Sequence, residues 1–230
     1  MLTNEQLLDI FQNCCFENFG INENGECDSI DDIIPDLAIP EGVHYDWNSG
    51  ASKAVFTFWS EDKITYVIKI PFLGEVFFDE ILGEDIVDEY EFSRNKERPW
   101  DYCAAECDVY ADAKNAGLEK LFAKTELIGF VDNHPIYKQS FVDQPFAYPE
   151  NEEKIPSKDS KTKTTSLCKE KNFYRISQFW LASVTEYYGT DVLGNLIDFI
   201  EDNGIGDLHD NNIGYKNGVP VIFDYSDFNC

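Results

Sequence analysis

Positive charge is what this chain has least of. Eighteen Lys and Arg stand against 44 Asp and Glu in 230 residues, a formal net charge of −26. Nucleic-acid phosphates are held by Lys and Arg, so this balance excludes a direct nucleic-acid binder and disfavours an anionic membrane surface. It suits instead an acidic face for a protein partner, including a partner whose nucleic-acid groove such a face would imitate. Long apolar runs are also lacking. No stretch approaches the ~18 to 20 apolar residues of a membrane span. No secretory leader is expected, because Met1 runs straight into a helix that Thr3 and Gln6 open as a capping box. The seven cysteines are odd in number and show no C-x-x-C spacing. That argues against a disulfide framework or a zinc site, and for a reducing, cytoplasmic compartment.

What is there is ample core material, 43% hydrophobic and 15% aromatic, enough for one domain of two lobes. Leu7, Leu8, Phe11, Cys14, Cys15 and Phe19 recur at helical spacing and predict a helix over 3–19. Residues 20–41 are acidic, with Pro35 and Pro40, and read as loop. From 43 to 70 the pattern changes to strands. Val43 to Trp47, Ala54 to Trp59 and Ile64 to Ile70 form a meander, with the small-residue loop Asn48-Ser49-Gly50-Ala51-Ser52-Lys53 between the first two. Lys69 lies inside the apolar run Tyr66 to Ile70, where an inward-facing ammonium needs a partner. Residues 71–98 read as a short helix or loop excursion.

Pro99 and Gly117 bracket a helix over 100–116. Its face Tyr102, Ala105, Glu106, Val109, Tyr110 and Ala113 carries one acid, Glu106, the candidate partner of Lys69. Asp101 is the partner in the alternative register. Two strands follow, Glu126 to Val131 and Pro135 to Val142, joined by the turn Asp132-Asn133-His134. Residues 144–170 are rich in Pro, Lys, Ser and Thr and read as a flexible insertion. The segment 154–175 holds a local net charge of +5, leaving −31 for the remainder. Ser157, Ser160, Thr162, Thr164, Thr165 and Ser166 are phosphate-acceptor candidates within it. Two amphipathic helices, Phe173 to Tyr187 and Val192 to Ile200, end near Gly189 and Gly204. The expected division is 1–42 (helix and acidic loop), 43–143 (sheet with one helix), 144–171 (insertion) and 172–230 (helices and the closing segment).

That closing segment, I-G-D-L-H-D-N-N-I-G-Y-K-N-G-V-P-V-I-F-D-Y-S over 205–226, organises the rest. Asn217-Gly218 between two apolar runs is a hairpin signal. The hairpin returns Asp224 beside the cluster Asp207 to Asn212, so that carboxylates and an amide share one end. D-L-x-x-x-N followed by an apolar strand ending in Asp resembles the catalytic loop and metal-binding Asp of the protein-kinase-like phosphotransferases. G-D-L-H-x-x-N is closer to the aminoglycoside and choline kinase branch. The whole ending resembles small minimal kinase-like proteins of bacteriophages and bacteria.

The resemblance implies an α+β, two-lobed kinase-like fold: a five-stranded antiparallel N-lobe sheet with one main helix, and a truncated, mostly helical C-lobe. It implies ATP and Mg²⁺ as cofactors. Asp207 is the catalytic residue that orients or deprotonates the attacking hydroxyl, acting with Asn212 and Lys69. Asn212 and Asp224 are the metal ligands. Gly50, Ser52, Lys53, Lys69 and Glu106 make the nucleotide site. The activity implied is transfer of a γ-phosphoryl group to a hydroxyl, of a protein or a small molecule. The alternative is a catalytically weak pseudokinase or an acidic module that intercepts a protein partner. A protein partner or substrate is expected either way, in the host cytoplasm for a phage-encoded protein. Departures are Ser226 in place of the last Gly of D-F-G, Asp227 beside the metal ligands, no A-P-E segment after Ser226, and His209 after D-L. His209 is expected as a hydrogen-bonding residue and not as a metal ligand.

Overall fold

Two tight turns set the strand pairings of this chain. Asp132 and Asn133 adopt φ +50° and +62°, and Asn217 and Gly218 adopt +53° and +77°. Two successive left-handed residues suit the right-handed twist of the flanking strands, and Asn, Asp and Gly tolerate that conformation best. The computed structural model describes residues 2–16, 19, 33–49, 52–61, 65–72, 75–79, 84–88, 101–142, 144–145, 156–206 and 208–225. The chain divides into two units: Met1–Cys107 with Thr125–Ser140, and Asp108–Lys124 with Phe141–Cys230.

The first unit holds β1 (Val43–Ser49), β2 (Lys53–Ser60) and β3 (Thr65–Pro71). A separate antiparallel pair follows, β4 (Glu75–Asp79) with β5 (Glu84–Asp88), inside the stretch read as helix or loop. Then come α2 (Tyr102–Asn115), which runs from the first unit into the second, β6 (Thr125–Val131) and β7 (His134–Gln139). The five-stranded sheet is antiparallel in the order β1-β2-β3-β7-β6.

The expected helix over 3–19 is a correction. Among the described residues of that span the helix is α1 (Asn4–Asp9), opened by the Thr3–Gln6 capping box. Phe11, Phe16 and Phe19 are still buried, but on the sheet and its turn. The Phe11 ring lies 5.3 Å from that of Phe56 and 5.9 Å from that of Phe58. Phe16 stacks on His134 and donates its N–H to the Asp132 carboxylate. Apolar spacing had suggested a continuing helix, and these aromatic anchors follow the sheet instead.

The second unit contains α3 (Lys158–Lys171), α4 (Gln178–Tyr188) and α5 (Thr190–Asp202). Its sheet is β10-β9-β8, made of β8 (Gln144–Pro145), β9 (Ile213–Lys216) and β10 (Val219–Ile222). Helix α3 overturns the expected flexible insertion over 158–171. Its buried stripe is Ser160, Thr164 and Cys168, set at helical spacing against α4 and α5. The Thr164 and Thr185 hydroxyls bond at 2.6 Å. Ser157 caps the helix, and the Glu186 carboxylate accepts from both Ser157 and Ser160 hydroxyls. Small polar residues satisfied by one another can line a buried face, and a count of apolar residues overlooks them. Ser160 and Thr164 are therefore not exposed acceptors.

The core of this unit centres on Trp180, fully buried, whose indole N–H donates to Gly214 O at 2.9 Å. Fold class is thus α+β: a five-stranded antiparallel sheet with one main helix, and a smaller, mostly helical second unit. Among the described residues no helix is long and apolar enough to cross a membrane.

Trp180→Ala should cost about 3–5 kcal/mol in urea unfolding, while Leu127→Ala, at 43% exposure, should stay within about 0.5 kcal/mol. A second outcome concerns acid. The Ser157 and Ser160 hydroxyls and the Ser157 N–H hold the Glu186 carboxyl below its ordinary value of 4.5. A lowered folded value adds stability above the unfolded value, lost as pH falls through the folded one. Glu186→Gln should therefore flatten the decline of the melting temperature on acidification below pH 4.5, measured against the native chain.

Candidate functional site

In the first unit the polar side chains converge inside the sheet. Lys69, on the central strand β3, is 2% exposed and Glu106, on α2, is 0% exposed. Lys69 Nζ donates to Glu106 Oε1 at 2.6 Å, the pairing expected from the sequence. Asp101, the alternative partner, is occupied elsewhere. Its carboxylate accepts from Ala104 N at the start of α2 and from the Tyr137 hydroxyl.

Lys53, at the head of β2, also reaches Glu106 Oε1, at 3.4 Å. Both lysines therefore meet one oxygen. The other oxygen, Oε2, accepts from the Thr125 hydroxyl at 2.6 Å and the Gln139 amide at 3.2 Å. The buried carboxylate has four donors, which is what keeps a desolvated charge tolerable. Ser52 is also buried, and its carbonyl accepts from Phe72 N at 2.9 Å. Gly50 lies outside the described residues.

In the second unit the hairpin β9–β10 does what its turn implies. The Asn212 carbonyl accepts from Phe223 N at 2.9 Å and from Asp224 N at 3.4 Å. Asn212 and Asp224 are thus neighbours at one end of the ribbon. Asn212 is buried and Asp224 is half-buried. Asp207, Ser226 and Asp227 lie outside the described residues. His209 Nδ1 accepts from Asn211 N at 3.2 Å and caps the turn Asp210–Asn212, the hydrogen-bonding role expected of it. Asp210 accepts from Ser177 N at 2.8 Å. An open cleft of about 520 Å³ adjoins these residues, lined by Tyr174 to Ser177 and His209 to Asn211.

Among the described residues no group of three or more His, Cys, Asp or Glu could hold a metal ion. The pair Asn212 and Asp224 offers one amide and one carboxylate oxygen donor. A hard cation that keeps several waters and binds through one or two protein oxygens plus phosphate suits that pair. Buried lysines suit phosphates.

Sequence reasoning missed Thr125 and Gln139, and it missed the cleft residues Tyr174 to Ser177. Thr125 and Gln139 are cross-strand partners on β6 and β7. Their only signal was a polar residue at one end of each apolar strand.

Removing one member of a buried ion pair costs about 3–5 kcal/mol. Glu106→Gln, which leaves two buried ammonium groups without their carboxylate, should cost that amount. Lys69→Met, which leaves Lys53 on the same oxygen, should cost less. Urea unfolding of both variants checks the order.

No protein-family model matches the chain, and no curated protein matches it. Among solved structures it is similar to Rio2 kinase of Chaetomium thermophilum, in an ADP/Mg²⁺-phosphoaspartate complex. The likeness is at 18% identity with a TM-score of 0.36, and covers 80% of this chain and 48% of that one. The chain thus spans about half the length of the structure it matches.

Proposed function

We propose that this protein is a minimal kinase-like phosphotransferase that binds ATP with Mg²⁺ and passes the γ-phosphoryl group to a hydroxyl. The observation that carries this reading is the buried carboxylate of Glu106 with Lys69 and Lys53 on one oxygen. A strand lysine tied to a helix glutamate is the phosphate-holding device of that superfamily. The hairpin that makes Asn212 and Asp224 neighbours supports the same reading.

The residue roles follow. Lys69 and Lys53 hold phosphate oxygens, and Glu106 fixes where their ammonium groups sit. Asn212 and Asp224 supply hard oxygens to Mg²⁺. Asp207 orients the acceptor hydroxyl and takes its proton. Bound ATP with Mg²⁺ supplies the transferable group and offsets its charge.

The net charge of −26 favours a second reading, an acidic kinase-fold module that intercepts a protein partner. The two readings separate on Asp207→Ala and Asp224→Ala. Loss of phosphate transfer in both variants supports the enzyme, and biological activity that survives both supports the module.

The test is thermal unfolding with ATP, with and without Mg²⁺. A ligand at 100 times its Kd should add about 2.7 kcal/mol. The native chain should show a Mg²⁺-dependent rise that Asp224→Ala abolishes. Asp207→Ala should keep the rise and lose transfer of radiolabelled phosphate. An unmoved midpoint in the native chain under all conditions would sink the nucleotide reading.

A further inference from the structure

The Glu106 carboxylate is not shared evenly, and the asymmetry has identifiable causes. Oε2 receives two neutral donors, the Thr125 hydroxyl at 2.6 Å and the Gln139 amide at 3.2 Å. Gln139 Nε2 also donates to Thr125 Oγ1 at 2.9 Å. The three bonds close a triangle in which the hydroxyl donates once and accepts once, and each amide hydrogen has its own acceptor. Both residues are buried, Thr125 at 3% and Gln139 at 5% exposure. They face each other across β6 and β7, so the sheet register itself holds the triangle. Oε1 receives the lysines, Lys69 at 2.6 Å and Lys53 at 3.4 Å.

We infer that Thr125 and Gln139 are positioning residues for the two lysines: by occupying Oε2 they make Oε1 the one oxygen on which Lys69 and Lys53 converge. This deepens the nucleotide reading above and rests on it. A carboxylate side chain turns freely about its last bond. Without the neutral donors the carboxylate would turn and offer a lysine either oxygen, and the two ammonium groups would separate. Donors without charge do this work well, because they steady the anion without competing with the lysines for it. The inferred effect falls on the phosphate end of the nucleotide alone, since the lysines are assigned to phosphate oxygens.

The discriminating readout is the affinity of the 230-residue chain for ATP with Mg²⁺ against that for adenosine, by titration calorimetry. Thr125→Val keeps the shape and removes the hydroxyl. It should weaken ATP binding about tenfold and leave adenosine binding within about twofold. Thr125→Ser, which restores the hydroxyl, should bring ATP affinity back to within about threefold of the native value. Gln139→Met provides the same comparison if Thr125→Val fails to fold in a urea titration.

Native-like ATP affinity in Thr125→Val and Gln139→Met would overturn the inference while leaving the nucleotide reading intact. Equal loss of ATP and adenosine would also overturn it, since a purely structural role acts on both. A native chain that binds neither ligand would remove both the nucleotide reading and this one.

Discussion

A buried carboxylate is the constraint around which the first unit is arranged. Glu106 is fully enclosed, and an ionised group in such a place persists only when its desolvation is offset by pairing and hydrogen bonds. Four side chains from four strands supply them: Lys53 from β2, Lys69 from β3, Thr125 from β6 and Gln139 from β7. Each strand must sit in register for its polar atom to arrive. The ion cluster therefore links β2, β3, β7 and β6, four successive strands of the sheet, through side chains as well as backbone bonds. A one-residue slip would turn each strand's side chain to the other face and leave the buried charge without that partner.

The second unit is governed by closer packing of ordinary kinds. Trp180 fills its centre and spends its one N–H on Gly214. Ser183 and Tyr215 share a hydroxyl bond, so α4 is tied to β9 twice. The Tyr225 hydroxyl reaches Ala123 O at 2.7 Å, which anchors the strand exit just after Asp224. Helix α3 adds a basic surface to a chain that is otherwise strongly acidic. Part of that basic charge is consumed locally, in Lys163 with Asp159 and Lys171 with Asp198, and Lys161 lies over the Phe179 ring. Exposed pairs of this kind contribute little to stability. Their larger effect is to set the local potential, opposite in sign to the chain's net charge.

Much of this was legible in the residues. Strand positions in the meander, the helix carrying Glu106 and the Asp132-Asn133 and Asn217-Gly218 turns follow from alternation, helical spacing and turn chemistry, whereas the Lys69–Glu106 pairing was a candidate that the kinase-like resemblance suggested, with Asp101 left open beside it. These signals are local, or they concern a charge that must find a partner. Helix α3 was not legible, because its buried stripe is Ser160, Thr164 and Cys168 and its polarity is satisfied by the Ser157 cap and by Glu186 and Thr185 of α4. Helix α1 was overextended, because Leu7, Phe11 and Cys14 have helical spacing and yet Phe11, beyond the helix, packs on the sheet.

The sequence by itself determined the chemistry on offer: which strand carries a lysine, which helix carries one acid on its apolar face, and which turn brings Asn212 beside Asp224. Backbone propensity and the cost of an unpaired buried charge suffice for those. Only the tertiary structure decided the sharing of that acid. That two lysines meet on one oxygen of Glu106, while Thr125 and Gln139 take the other, depends on strand register and on the reach of four side chains. Those are contacts between residues up to 53 positions apart, as Lys53 and Glu106 are, and no local pattern encodes them.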